Sequence, residues 1–219
     1  LEYALRGIRL DITSYDSATI SFNYLRMSNA LMQTGFIEEA IMFIDKSLAY
    51  NPKNPYSSYV KAWILFARDR DFEQAKERLI KELEKDTTRI DILQDVAKIC
   101  FLMRDYEEAY KYYKPFIEFR DRQQLDIYKH EDLRVAIVLD KVGQEKKSQE
   151  FVKLFKGYAD HDKSIYGHLA LSEYYAYTGE LQKAMEHLNL FTKEDNYQYW
   201  VLLYEMDAGV DPVRHLPEF

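Results

Sequence analysis

A chain of 219 residues with 47% hydrophobic and 31% charged residues can bury a core in water. Its net charge is −7, and Lys and Arg run together with Asp and Glu, as in KELEKD (Lys81–Asp86), which argues against nucleic acid and acidic membrane as partners. Seven glycines and five prolines are few, so tight turns and short strands give way to helix.

The opening stretch YALRGIRLDITSYD (Tyr3–Asp16) reads as the end of a second helix of an earlier repeat, then a loop, with Asp16 or Ser17 capping the next helix. Repeats or another domain are therefore expected upstream of Leu1. The run SFNYLRMSNALMQ (Ser21–Gln33) predicts an amphipathic helix, and TGFIEEA (Thr34–Ala40) breaks it at Gly35. A second helix comes after it, in which Ala40, Ile41, Ile44 and Leu48 form one apolar stripe. Asn51, Pro52 and Pro55 in NPKNP end it, because Pro has no N–H and disfavours helix in the residue before it.

The same phrase then returns. RDFEQA (Arg70–Ala75), RDYEEA (Arg104–Ala109) and TGELQKA (Thr178–Ala184) echo the first, and KVGQEKKSQEF (Lys141–Phe151) is a degenerate copy carrying Gly143 and Ser148. Ala40, Ala75 and Ala109 stand 35 and 34 residues apart. Such a period marks an array in which helix pairs bury their apolar faces by stacking. Small residues at Ala40, Ala75, Ala109 and Ala184 let helices approach, and Ile37, Phe72, Tyr106 and Leu181 wedge the turns.

Paired helices, a period near 34, Gly at the turn, a small residue in the second helix and Pro at its exit together resemble the tetratricopeptide repeat (TPR). That resemblance covers nearly the whole chain, with repeats at about 21–54, 56–89, 90–123, 129–162 and 165–198. It implies an all-α fold, a right-handed α-α superhelix of TPR helical hairpins forming a single solenoid over residues 1–219. Arg70 and Arg104 stand where Gly35 does, so those turns are expected to take a geometry that a non-Gly residue tolerates. Pro115, inside the second helix of the third repeat, predicts a kink or early end at a cost of about 3 kcal/mol. The insertion FRDRQQLDIYKHED (Phe119–Asp132) just beyond it is a candidate bend or loose joint in the stack. NYQYWVLLYEMDAG predicts a closing helix at 196–207 with Trp200 and Leu203 inward, and residues 208–219 an irregular tail.

Residues with chemistry offer no catalytic constellation. Cys100 lies in the apolar run VAKICFLM and reads as a small buried hydrophobe. His130, His161, His168, His187 and His215 show no zinc-motif spacing, so neither metal nor cofactor is expected. Glu38, Glu39, Glu107 and Glu108 open second helices, where acidic side chains favour the helix dipole. There is no G-x-S-x-G elbow, phosphate-cradling loop or dinucleotide fingerprint, and an enzyme is not expected. No apolar run approaches the length of a bilayer span. With one cysteine no intrachain disulfide forms, and a cytoplasmic location is the expectation.

The TPR resemblance implies a concave groove lined by the first helix of each pair, binding a peptide or partner domain. Its candidate residues are Phe22, Asn29, Gln33, Ile64, Arg68, Gln94, Lys98, Tyr166, Glu173 and Tyr177. Leu25, Val60, Leu133 and Ile137 either join that groove or pack against neighbouring helices. Asn29 matches one asparagine of the chaperone carboxylate clamp, but Leu25 and Asp91 replace its lysines, which argues against that ligand. The expected role is a non-catalytic protein-interaction scaffold. The DP and closing P-x-F of the final residues resemble the ends of TPR tails in bacterial signalling proteins, and with the opening stretch that resemblance implies a second reading: a regulatory TPR segment of a larger bacterial signalling protein with an upstream effector domain. Homo-oligomers through Tyr197, Tyr199 and Trp200 are a third.

Overall fold

The computed structural model describes residues 16–194 and 207–219, and over that span helices succeed one another in pairs. The first pair is α1 (Ser17–Gln33) with α2 (Ile37–Tyr50), and the second α3 (Pro55–Asp69) with α4 (Phe72–Lys85). The third is α5 (Ile90–Leu102) with α6 (Tyr106–Gln123). After a 3₁₀ turn at Lys129–Glu131 come α7 (Asp132–Lys141) with α8 (Glu145–His161), then α9 (Gly167–Tyr177) with α10 (Leu181–Phe191). Ala208–Val213 form a further 3₁₀ segment. Among the described residues there is no strand, and the expected all-α class holds. The chain forms two compact units, one reaching to Ile92 and one beginning at Leu93 and including the 207–219 segment.

Second helices bury one stripe at helical spacing. Ala75, Leu79 and Leu83 of α4 recur four residues apart and are buried. In α8 the buried residues are Ser148, Phe151, Phe155 and Ala159, three or four apart. In α2 the structure buries Ala40, Ile44 and Ser47, while Ile41 and Leu48 of the predicted stripe are half-buried. Close approach within a pair is locked by a hydroxyl reaching across it. Ser28 of α1 donates to the Ala40 carbonyl at 2.8 Å, and Ser172 of α9 donates to the Ala184 carbonyl at 2.8 Å. In the α7–α8 pair the direction reverses: Ser148 donates to the Ala136 carbonyl at 2.7 Å. All three serines are buried, so each bond satisfies a group that water cannot reach.

All five turns within pairs contain a residue with positive φ. Gly35, Gly143 and Gly179 supply it at 84°, 78° and 83°, where glycine has no Cβ to clash. Arg70 at 55° and Arg104 at 64° take the left-handed region too, at angles that a non-Gly residue tolerates. The strain of a non-Gly residue there, on the order of 1–2 kcal/mol, is offset by the next residue. Asp71 caps α4 by accepting from the Gln74 N–H at 2.9 Å, and Asp105 caps α6 by accepting from the Glu108 N–H at 3.1 Å. Such caps contribute about 1 kcal/mol. Beyond the glycine turns stand Phe36, Gln144 and Glu180, which make no side-chain cap bond. The two turn phrases, TG and RD, are thus alternative solutions: one relieves the turn, the other strengthens the helix start.

At the helix starts, Asp16 is the N-cap of α1, accepting from the Thr19 N–H at 2.8 Å, while Pro55 begins α3 at its first turn behind the cap Asn54. Three expectations change. Helix α6 does not stop at Pro115 but runs on to Gln123, held by buried Tyr113, Phe116 and Ile117 on either side. The insertion after it is not loose. Arg120 pairs with buried Asp132 at 2.7 Å, Tyr113 donates to buried Glu131 at 3.0 Å, and the Tyr128 ring lies 5.9 Å from that of Phe116. Residues 208–219 are not an irregular tail: Val210 and Val213 are fully buried with Ala176, Ala184 and Met185. The predicted closing helix, with Tyr197, Tyr199, Trp200 and Leu203, lies outside the described residues.

Candidate interaction surface

In the first unit the groove candidates separate by burial. Phe22 is exposed, with the Arg26 guanidinium 4.9 Å above its ring. Asn29 and Gln33 are half-buried on the same helix. Arg68 is exposed, bound to Asp69 through Nε at 2.7 Å, and lines a cleft of about 550 Å³ with Ile41, Leu48, Lys61 and Arg78. Ile64 has no exposed surface and is a core residue, as Leu25 largely is. The reason is helical phase: Ile64 lies in the buried run Ala62–Ile64 with Phe66 and Ala67, facing the packed side of α3.

In the second unit two of the candidates meet in a buried charge cluster that the spacing of the sequence did not disclose. Its centre is Arg134 of α7. Nε donates to Asp207 at 2.6 Å, Nη1 to Glu131 at 3.0 Å, and Nη2 stands 3.5 Å from Glu173 of α9. Lys98 of α5 joins it, 2.9 Å from Asp95 and 3.6 Å from Glu131. Glu131 is wholly buried, and Tyr113 donates to its second oxygen. Of the predicted residues, Lys98 and Glu173 thus belong to one network. Gln94, beside it in sequence, is buried with its Nε2 lacking a hydrogen-bond partner. Tyr166 and Tyr177 sit half-buried at opposite ends of α9, apart from the cluster.

The cluster sorts its carboxylates by environment. Burial by itself would raise the Glu131 carboxyl, but Arg134 and then Lys98 outweigh it and hold it at about 2. Burial raises Glu173, and although Arg134 opposes this, Asp207 and Glu131 add to it, so that it reaches about 8. Glu173 is therefore the protonated member at neutral pH. Burial would lower Arg134, but Asp207, Glu131 and Glu173 hold it well above its ordinary value.

Asp207 belongs to the 207–219 segment, which lies along α7 and α9. Gly209 N–H donates to Asp207 Oδ1 at 2.8 Å, and a Cβ on Gly209 would stand 3.7 Å from Ile137 and 3.9 Å from Leu133. Val210 and Val213 fill the apolar floor, with Leu181, Leu188 and Leu216 around it. At the far end Arg104 grips Asp211 with Nη2 at 2.8 Å and Nε at 3.2 Å. Arg104 is one of the two strained turn residues, and its guanidinium also donates to the Leu102 carbonyl at 2.7 Å. The signal in the sequence was Arg in the place of Gly. Sequence reasoning saw the substitution but had no way to name Asp211, 107 residues away.

Two other features carry polar chemistry. A cleft of about 510 Å³ between α6 and α8 is lined by Arg120, Lys129, Lys153, Tyr158, His161 and Asp162. His168 and His187 approach Nδ1 to Nδ1 at 3.0 Å, with Tyr175 stacked on His187 at 5.4 Å. Burial and then the neighbouring His168 lower His187. Among the described residues no three His, Cys, Asp or Glu side chains are grouped to hold a metal ion, and no helix is long and apolar enough to cross a membrane.

No protein-family model matches the chain, and no curated protein matches it. Solved structures do. Pseudomonas aeruginosa PilF is 17% identical with a TM-score of 0.56, over 81% of this chain and 77% of that one. The TPR-like repeats of a Podosopora anserina kinesin light chain are 15% identical with a TM-score of 0.51, over 77% and 92%. A MamA structure is 16% identical with a TM-score of 0.50, over 80% and 91%. At these identities the likeness speaks for the fold, and the fold is that of tandem TPR hairpins, all-α with helices packed in successive pairs.

Proposed function

We propose that this chain is a non-catalytic protein-interaction scaffold, whose first-of-pair helices bind a peptide or partner domain. One observation carries the reading: the second unit already holds a peptide segment, residues 207–213, through Arg134 of α7, Arg104 of the α5–α6 turn and a pair of valines buried against α9 and α10. A surface that, among the described residues, seats a short 3₁₀ segment through side chains is suited to recognise a chain by its side chains. In the first unit the same role falls to exposed Phe22, half-buried Asn29 and Gln33, and Arg68, which lines a cleft. In the second it falls to Lys98, Glu173, Tyr166 and Tyr177.

The test is quantitative affinity capture by the whole chain. Arg68→Glu reverses an exposed charge without disturbing the core and is expected to weaken capture of a partner held by the first unit. Arg104→Glu reverses a half-buried charge at the rim of the second unit, where it also gives up Asp211, and is expected to change capture by that unit. Lys98→Glu is a poor probe, because it would place a third carboxylate beside Asp95 and Glu131. Capture unchanged in both charge reversals removes these helices from the interaction.

A further inference from the structure

The 207–213 segment carries the chemistry of a ligand. Asp207 and Asp211 are four residues apart, with only Ala208, Gly209 and Val210 between them. Arg134 takes the first carboxylate in a buried pair, and Arg104 takes the second at the rim. Among the described residues, the backbone hydrogen bonds of the segment run within it: Val210 to Asp207, Arg214 to Asp211, Leu216 to Val213. Its hold on α7 and α9 is thus made by side chains, the kind of contact another chain can reproduce.

We infer that this face is a recognition site for an acidic peptide on another protein, with two carboxylates four residues apart flanking small apolar residues, and that residues 207–213 are its built-in competitor. The inference rests on the scaffold reading and names the partner's chemistry. Exchange is feasible because departure of Asp207 does not strand a buried cation: the Glu131 carboxylate, at 3.0 Å, remains on Arg134. Arg104 is held in a left-handed turn at a position that is Gly in three of the five hairpins, which keeps its guanidinium at the rim where the second carboxylate arrives.

The test uses a fluorescein-labelled peptide of residues 207–219 and the full chain, read by anisotropy. In wild type the resident segment occupies the face. In Val210→Asp/Val213→Asp it is released. The released chain is expected to bind the peptide about ten-fold or more tighter than wild type, because the competent fraction rises. A peptide with both aspartates changed to Asn is expected to lose that binding. No binding to a released chain that keeps its helical circular dichroism overturns the inference. Should that variant lose its helix, amide exchange in wild type decides: excess peptide must speed exchange at Gly209 and Val210, and unchanged exchange overturns the proposal. A released chain that instead dimerises by trading its own segment overturns it too, by assigning the face to a second copy. Partners captured by the chain while the peptide is inert would sink this inference and leave the scaffold reading standing.

Discussion

Replacing Glu173 by Gln should make the protein more stable at alkaline pH and remove a pH slope. Glu173 is raised from 4.5 to about 8 by burial among Asp207 and Glu131. Between those two values the native state keeps a proton that the unfolded chain releases, so native stability falls as pH rises through the window and levels off above it. At about 1.4 kcal/mol per pKa unit, the full penalty is roughly 4–5 kcal/mol. Gln carries no ionisable proton and its carbonyl can still accept from Arg134. Wild type and variant should therefore match near pH 4.5 and diverge by roughly that amount near pH 8. Glu131 slopes the other way: held at about 2, it stabilises the native state above 4.5 and loses this as pH falls towards 2. It is common to both proteins and cancels in the difference, as do His130, Lys98, Tyr113 and Tyr158 around the cluster. Urea unfolding followed by circular dichroism at several pH values measures the difference directly. Parallel curves from about pH 5 to about pH 8, with a constant offset, would refute the idea that Glu173 is the protonated partner in this cluster.

Three more outcomes are expected. Arg70→Gly should stabilise the chain by up to about 1 kcal/mol by relieving a left-handed turn, whereas Arg104→Gly should gain less because it gives up Asp211; equal gains by thermal unfolding would argue against a role for the Arg104 pair. Ser172→Ala should cost about 1–2 kcal/mol, because the buried Ala184 carbonyl loses its donor; a neutral change by urea titration would mean the helix pair is held by packing alone. His187 is lowered by burial and His168, so wild type should lose stability as pH falls through the ordinary value of 6.5, and His187→Phe should flatten that loss; an identical acid limb in the variant would count against this pairing.

The hairpin fold was legible because it is written in local terms. A turn needs a left-handed residue, a close approach needs Ala or Ser, and a buried face needs a stripe with the period of the helix; each requirement acts within a dozen residues, and each recurs. Even so, local spacing says only part of what RD does. Arg in a glycine position implies a turn that a non-Gly residue tolerates, but not that it stays left-handed or that Asp71 and Asp105 offset its strain by capping the next helix. Pro115 shows the same limit: the propensity cost is real, but burial of Tyr113, Phe116 and Ile117 overrides it.

The candidate surface divides along the same line. The TPR resemblance proposed Phe22, Arg68, Lys98, Glu173 and Ile64 alike for the groove; the structure leaves Phe22 and Arg68 exposed, but buries Ile64 and draws Lys98 and Glu173 into a buried network. What sequence by itself determined is the repeating unit, since every residue that makes a hairpin is near its partners in the chain. What only the tertiary structure decided is which charges meet. Arg134 finds Asp207 across 73 residues and Arg104 finds Asp211 across 107. Coulomb energy depends on distance and burial in space, and neither is encoded in any local spacing.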